Sequence, residues 1–462
     1  MSSMKISMKE KISYGLGALG KDMVCGLIFT YAMIYFTDVL QISASFVGSL
    51  FFFAKFWDAV NDLGMGVLVD NTRTRWGKFR PWLAIGTIIN AIVFVCLFTN
   101  WGLSGTALYV FAAVMYIVWG MTYTIMDIPY WSMLPNLTDD AREREKISVI
   151  PRIFASIGGS LIVAGFGLQI MDFIGQGDAQ KGYTGFAWII AIAFIVLIGI
   201  TVCNVKSADG AKTEKKEKTS FKHMLHIIVK NDQLLVAIGV ILTFNMAMQI
   251  INSVSTFYFI YVTGSKMMFS VFTMFAGFAE IAGLFIYPKM VHKFSRAMVY
   301  VAACVTPVVG LVLLWVTGYV LPQNVILTAA AGILVKFGSG LQVGSATVIL
   351  ADVVDYGEYK FGTRNESVTF SIQTLMVKFS SAIGALLTGA ALDLTGYVPN
   401  AEQSAGTLMG MRIIMVVIPV IFTIISYFIY KKFFKLTGEY YERIKNILTL
   451  RRNGVKETPE IN

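Results

Sequence analysis

The chain has 462 residues, of which 56% are hydrophobic and only 14% charged, where soluble domains carry about a quarter charged residues. That balance excludes a soluble globular protein and fits an all-α polytopic membrane protein. The formal net charge of +10 lies in short segments between apolar runs, so it reads as topology-setting loop charge rather than a nucleic-acid surface.

About twelve apolar segments follow one another, at roughly 12–37, 45–69, 81–99, 106–137, 147–172, 183–204, 232–263, 267–291, 297–320, 323–352, 367–393 and 406–434. Each is long enough to cross a bilayer as a helix. The connecting segments alternate in charge. One set holds Arg73, Arg75, Lys78 and Arg80, then Arg142, Arg144 and Lys146, then Lys206 to Lys230, then Lys289, Lys293 and Arg296, then Lys360 and Arg364; the other offers only Lys181 and Lys266. This is the positive-inside pattern for twelve spans with both termini cytoplasmic, as in a bacterial inner-membrane protein. The N-terminus has no cleavage pattern for a signal peptide.

In the first span, Lys21 and Asp22 stand side by side. The second carries Lys55, Asp58, Asn61 and Asp62, with Lys55, Asp58 and Asp62 on one helical face and Asn61 beside them. Two carboxylates four residues apart in a membrane repel one another and lose hydration, so they need a cation, a proton or a basic partner. A monovalent-cation site is expected, with Asn61 and the Thr124 hydroxyl as further oxygen ligands. Internal salt bridging to Lys55 and Lys378 is the alternative. Asp70 and Arg73–Arg80 then form a tight basic turn.

The fourth span reads Tyr123-Thr124-Ile-Met-Asp127-Ile-Pro129-Tyr130-Trp131. Thr124 and Asp127 share a face, Trp131 lies one turn on, and Pro129 frees a carbonyl near Ile125. A carboxylate beside an aromatic ring suits a sugar, its hydroxyls bonded by the acid and its C–H face laid on the ring; packing of Trp131 in lipid or core is the alternative. Arg152, at the start of the fifth span, could pair with Asp127 or Asp22, or donate to a sugar hydroxyl. Glu280 and Lys336, in spans eight and ten, read as inter-helix contacts.

The polar stretch Lys206–Ser220 divides six spans from six and has linker composition; residues 221–230 read as a short amphipathic helix. The expected organisation is a six-helix bundle at 1–205, a linker at 206–230, a second six-helix bundle at 231–436 and a polar tail at 437–462. Mixed charges at Asp70, Arg73, Arg75, Arg142, Arg144, Asp352, Asp355, Glu358 and Arg364 suggest a cytoplasmic gate of ion pairs between the halves. The same loops could receive a cytoplasmic regulatory protein. Cys25, Cys96, Cys203 and Cys304 have no CxxC spacing, no histidine lies in mid-span, and HExxH and GxSxG motifs are absent. Neither a metal knuckle nor an enzyme is supported.

Three stretches carry a resemblance: residues 70–82, DNTRTRWGKFRPW; residues 119–129, WGMTYTIMDIP; and residues 352–360, DVVDYGEYK. They resemble the glycoside–pentoside–hexuronide:cation symporters of the major facilitator superfamily, and among these the chain looks most like the melibiose permeases, from first span to last. The resemblance implies a secondary transporter that couples sodium, lithium or protons to a galactoside such as melibiose, with no cofactor besides the ion. It implies a cation site at Asp58, Asp62, Asn61 and Thr124. It places Lys21, Asp22, Tyr123, Asp127, Trp131, Arg152, Gln373, Thr374 and Val377 at the sugar, with Lys378 and Lys55 as coupling residues. Two departures stand out. Residues Leu341–Ala346 are small and polar where melibiose permeases carry a tryptophan, and Lys55 stands where they have an arginine. A pentoside, hexuronide or other glycoside as cargo, or a non-transporting sugar sensor, remain the alternatives.

Overall fold

Short polar loops start the helices. Ser7 accepts from the backbone N–H of Glu10 while the Glu10 carboxylate takes the Ser7 N–H and hydroxyl, a reciprocal cap that satisfies otherwise unpaired donors. Ser43, Asp178, Asn231, Ser295 and Asn324 cap five further helices in the same single-bond manner. A computed structural model describes residues 6–134, 137, 141–205, 230–362 and 366–452. The expected amphipathic helix at 221–230, except Lys230, and the rest of the linker lie outside the described residues.

Twelve long helices are described. α1 is Met8–Ile34, continued by a π-helical turn at Tyr35–Val39; α2 is Ala44–Asn71, α3 Arg80–Leu97 and α4 Gly105–Met133. α5 runs as Ala141–Ser156, a π-helical stretch Ile157–Gly165 and Phe166–Gly175; α6 is Ala179–Asn204. α7 is Asp232–Phe257 with a π turn at Tyr258–Val262; α8 is Lys266–Lys293, α9 Arg296–Val320, α10 Val325–Phe361 and α11 Glu366–Leu394. α12 runs as Ala405–Arg412, a π turn Ile413–Val417 and Ile418–Phe433; a shorter α13 follows at Gly438–Arg452. Among the described residues eleven helices are long and apolar enough to cross a membrane. α2, at 28 residues, has the length of the twelfth, but Lys55, Asp58 and Asp62 interrupt its apolar run.

The chain forms two units. The first gathers α1–α6 together with the segments Phe259–Met274 and Ala385–Leu408. Within it α1 packs on α5 and α6, α3 on α4 and α6, and α2 on α4. Glycines set the closest approaches: a Cβ on Gly26 would lie 3.0 Å from the Gly159 Cα, and one on Gly48 2.8 Å from the Ala385 carbonyl oxygen. Tyr14 of α1 and Tyr130 of α4 stack with centroids 4.5 Å apart, and each hydroxyl donates to the other's backbone carbonyl at 2.9 and 2.6 Å. This buried reciprocal pair fixes α1 against α4.

At the far end of α1, the Asp38 carboxylate accepts the hydroxyls of Thr37 (2.6 Å), Tyr261 and Tyr397. Asn400 donates its amide to the Asp38 carbonyl and its backbone N–H to Tyr261. Lys266 pairs with Asp172 at 2.7 Å, and Gln169 and Ser270 exchange hydrogen bonds. Segments from the second half of the sequence are thereby clasped to one end of the first unit.

In the second unit, α9 packs on α10 and α12, α7 on α10 and α12, and α13 on α10. α10 continues through Asp352–Lys360, which the sequence reading took as loop, and stops at Gly362 with φ 70°. α13 is not the plain polar tail expected: Ile444, Ile447 and Leu448 are buried, Tyr441 donates to Asp355 at 3.0 Å, and Arg451 donates to the Tyr359 carbonyl.

Candidate functional site

Two clusters of charge lie within the first unit, both lined by α4. The first surrounds Lys21, whose side chain is only 4% exposed. Its ammonium stands 2.8 Å from Asp127 Oδ1 and 3.2 Å from Asp22 Oδ2. An ammonium so fully removed from water is tolerable only beside opposite charge. Its other neighbours are aromatic faces: Trp131 at 4.9 Å, Tyr130 at 5.6 Å and Tyr123 at 5.8 Å from the ring centroids. Lys21 also donates to the Tyr123 hydroxyl at 3.4 Å.

The Lys21 ammonium is thus the charge-assisted donor to Asp22 Oδ2 and Asp127 Oδ1. Each carboxylate keeps further lone pairs to which a hydroxylated ligand could donate. One ammonium against two carboxylates leaves the cluster one negative charge. Arg152, expected as a partner for Asp22 or Asp127, is exposed on α5, and among the described residues it makes no ion pair with either. Lys21 occupies that role because the Tyr14–Tyr130 pair ties α1 to α4.

The second cluster lies along α2. Lys55 contacts Asp58 Oδ2 at 3.4 Å and sits 4.8 Å from the Phe29 ring of α1. The Thr124 hydroxyl donates to Asp62 Oδ1 at 3.1 Å and to the Gly120 carbonyl at 3.1 Å. Asn61 donates its amide to the Met121 carbonyl at 3.4 Å, which turns its own amide oxygen away from that bond. Asp58, Asn61, Asp62 and Thr124 therefore stand together where α2 meets α4. The donor set is oxygen only, the kind that suits a hard monovalent cation. Among the described residues no group of three or more His, Cys, Asp or Glu side chains is placed to hold a metal ion.

Gly120 was missed by the sequence reading. A Cβ there would lie 2.7 Å from Asp58 Oδ1, so the glycine makes the room in which that carboxylate sits. Its only signal in the sequence was its place in the Trp119–Pro129 motif.

Gln373, Thr374, Val377 and Lys378 lie on α11, in the second unit; Thr374 and Val377 are exposed, Gln373 and Lys378 half-buried. Among the expected gate residues, Arg73 and Arg75 are exposed in the turn after α2. Asp352 is buried and pairs with Arg296 at 2.8 Å, Asp355 accepts from Tyr441, and Glu358 is half-buried on α10. The side chains of Asp70, Arg142, Arg144 and Arg364 lie outside the described residues. Glu280 and Lys336 do form an inter-helix contact, between α8 and α10, at 3.4 Å.

Comparison with known proteins agrees with this layout of helices. The chain is 30% identical over 456 residues to the putative glycoside/cation symporter YagG of Escherichia coli, covering 97% of this chain and 96% of that one. It is 29% identical over 418 residues to the isoprimeverose transporter of Lactiplantibacillus pentosus, covering 90% and 86%. Among solved structures, a bacterial homologue of the human lysosomal transporter Spinster matches with a TM-score of 0.67 at 13% identity, over 94% of this chain and 98% of that one; this likeness shows the fold alone, that of the major facilitators. The family profile described as MFS/sugar transport protein matches residues 13–438. The chain belongs to that family of multi-pass membrane transporters, and is not an enzyme.

Proposed function

We propose that the chain is a cation-coupled sugar symporter that imports a glycoside by alternating access. The observation that carries this reading is the pair of carboxylate clusters sharing α4. One is lined by aromatic faces and gathers Asp22 and Asp127 around Lys21; the other brings Asp58, Asn61, Asp62 and Thr124 together beside Lys55. Names of relatives support the cargo class, since they include a glycoside/cation symporter and an isoprimeverose transporter.

In this mechanism Asp58 and Asp62, with Asn61 and Thr124, take a sodium, lithium or hydrogen ion. The ion supplies the charge that Lys55 supplies in its absence. Lys21, Asp22, Tyr123, Asp127 and Trp131 hold the sugar: the carboxylates accept from its hydroxyls, and Trp131 faces its C–H side. Arg152, with Gln373, Thr374 and Val377, lines the rest of the cargo path, and Lys378 joins Lys55 as a coupling residue. Bundles at 1–205 and 231–436 rock about the loaded site, both termini are cytoplasmic, and the charged ends at Asp70, Arg73, Arg75, Arg142, Arg144, Asp352, Asp355, Glu358 and Arg364 act in closing the cytoplasmic side. A galactoside such as melibiose is the first cargo to test, followed by a glucuronide and a xyloside.

The test is uptake of labelled sugar into vesicles under a sodium gradient, a proton gradient, or neither, for the natural chain and Asp58→Cys. Gradient-driven accumulation that Asp58→Cys abolishes is the expected result. Accumulation that survives in the variant would overturn the cation assignment, and no accumulation of any glycoside under any gradient would overturn symport.

A further inference from the structure

Arg412, in the second unit, makes no ion pair among the described residues. It closes the first segment of α12, Ala405–Arg412, within a stretch long and apolar enough to cross a membrane. Its guanidinium lies 3.8 Å from the centroid of the Tyr319 ring and donates one N–H to the Gly318 carbonyl of α9 at 3.0 Å. Its Nε is buried with no acceptor among the described residues.

The bond to Gly318 has a local cause. Pro322, four residues after Gly318, has no N–H to return to that carbonyl, and Arg412 supplies one. The end of a helix also favours a cation. Capping, however, uses one of five N–H groups, and a neutral amide would serve it. The cap therefore explains a donor and leaves the charge and the other N–H groups without a purpose. A guanidinium in a spanning helix is tolerated beside an anion or at the level of the lipid headgroups. Gly318 stands two residues from the end of α9 at Val320, which sets the guanidinium at that level.

The surroundings say which anion. Val309, Val312 and Val316 are exposed along a stripe of α9 that runs to Tyr319, and Ile413, Val417 and Ile421 along a stripe of α12 that starts at Met409. The Tyr319 hydroxyl contacts Met409 Sδ at 3.5 Å, so the two stripes meet where Arg412 stacks. Apolar side chains left exposed on spanning helices face acyl chains.

We infer that Arg412, stacked on Tyr319, binds the phosphate of a membrane phospholipid whose acyl chains lie along the α9 and α12 stripes. The phosphate accepts from guanidinium N–H groups that the Gly318 carbonyl leaves free, a pairing for which the planar fork is suited. The Tyr319 ring holds the guanidinium in place through its face. Free phosphate would gain the charge but not the two apolar stripes that converge on it.

The experiment follows the melting temperature of purified, delipidated chain in detergent. Phosphatidylglycerol, diacylglycerol with the same acyl chains, and inorganic phosphate are added separately to the natural chain, Arg412→Gln, Tyr319→Leu and Lys181→Met. Glutamine keeps an amide donor for Gly318 and drops the charge; Lys181, an exposed cation on α6, controls for general surface charge. Phosphatidylglycerol should stabilise the natural chain and Lys181→Met at the same concentration, and neither diacylglycerol nor inorganic phosphate should replace it. Arg412→Gln should need about tenfold more phosphatidylglycerol and Tyr319→Leu about threefold more. An unchanged requirement in Arg412→Gln would show the arginine to be a helix cap alone and overturn the site. An equal loss in Lys181→Met would overturn it as general charge attraction, and equal stabilisation by diacylglycerol or by inorganic phosphate would overturn the phospholipid assignment. If Arg412→Gln does not fold, Tyr319→Leu carries the comparison, and an unchanged requirement there overturns the site.

Discussion

Gly120→Ala tests the geometry of the proposed cation site without altering its charge. The added Cβ would stand 2.7 Å from Asp58 Oδ1, well inside contact distance, and its own backbone is fixed in α4. The carboxylate must therefore rotate or withdraw by about half an ångström, and a side chain forced off its rotamer costs about 0.5–1.5 kcal/mol. Drawing a unit charge from about 2.4 to about 2.9 Å from a monovalent ion costs roughly a further 1 kcal/mol at an effective dielectric near 20. The second cost, borne only with the ion bound, predicts sodium or lithium affinity weakened about fivefold, and the first appears in the ion-free protein. The assay is ion-dependent stabilisation: the shift in melting temperature with sodium should need correspondingly more ion, because a ligand stabilises in proportion to the logarithm of its saturation. Melting in sodium-free buffer should change little, since the same methyl group favours the helix. Wild-type sodium affinity in Gly120→Ala, alongside weakened affinity in Asp58→Asn, would refute the placement of Asp58 against α4.

Three further outcomes follow from the geometry. Lys21→Gln should abolish sugar binding and lower thermal stability by leaving the half-buried Asp22 and Asp127 without a counter-charge, while sodium-dependent stabilisation, measured on the same sample, persists. Tyr14→Phe and Tyr130→Phe should each lower thermal stability by about 1–3 kcal/mol, since each strips a buried carbonyl of its hydroxyl donor; unchanged melting in both would count against the reciprocal pair as the link between α1 and α4. Asp38→Asn, with Tyr397→Phe beside it, should loosen the clasp at the far end of α1. A cysteine at Thr273, in a background lacking the four natural cysteines, should then react several-fold faster with a membrane-impermeant thiol reagent, and an unchanged labelling rate would show that the clasp does not gate that end.

Long apolar runs and charged turns are written in the sequence because lipid demands them, and the helices follow those runs. The oxygen set on α2 and α4 was equally legible. Asp58 and Asp62 are four residues apart, and that spacing alone puts them on one face. The partner of Asp22 and Asp127 was harder to read. Lys21 lies next to Asp22 in sequence, where adjacent residues point apart, and spacing cannot say whether an ammonium on α1 or a guanidinium on α5 reaches α4. Packing decides that, through Tyr14 and Tyr130. Gly120 left no trace because its contribution is a missing methyl group. In α13 the signal was present and overlooked: Ile444, Ile447 and Leu448 follow the helical i, i+3, i+4 pattern within a stretch whose average composition is polar. The clasp at Asp38 joins residues up to 362 positions apart, and nothing local in the sequence announces it.

The arrangement of α4 gives the proposed coupling a physical route. Thr124 donates to Asp62 in one cluster; Asp127, three residues on and so on the same face, meets Lys21 in the other. Tyr123 accepts from Lys21 and lies next to Thr124 in the chain. An ion that draws Asp58, Asp62 and the Thr124 hydroxyl together fixes the turn of α4 from which Tyr123 and Asp127 project. A cation beside Asp58 and Asp62 also lowers the field of those carboxylates at Asp127. Both effects favour sugar and ion binding together. Linkage then requires that sugar raise ion affinity by the factor by which ion raises sugar affinity. Severing the route at Thr124, as Thr124→Val would, should shrink both factors equally; a variant that lost one and kept the other would show the measurement to be out of equilibrium, and a variant that kept both in full would place the coupling outside α4.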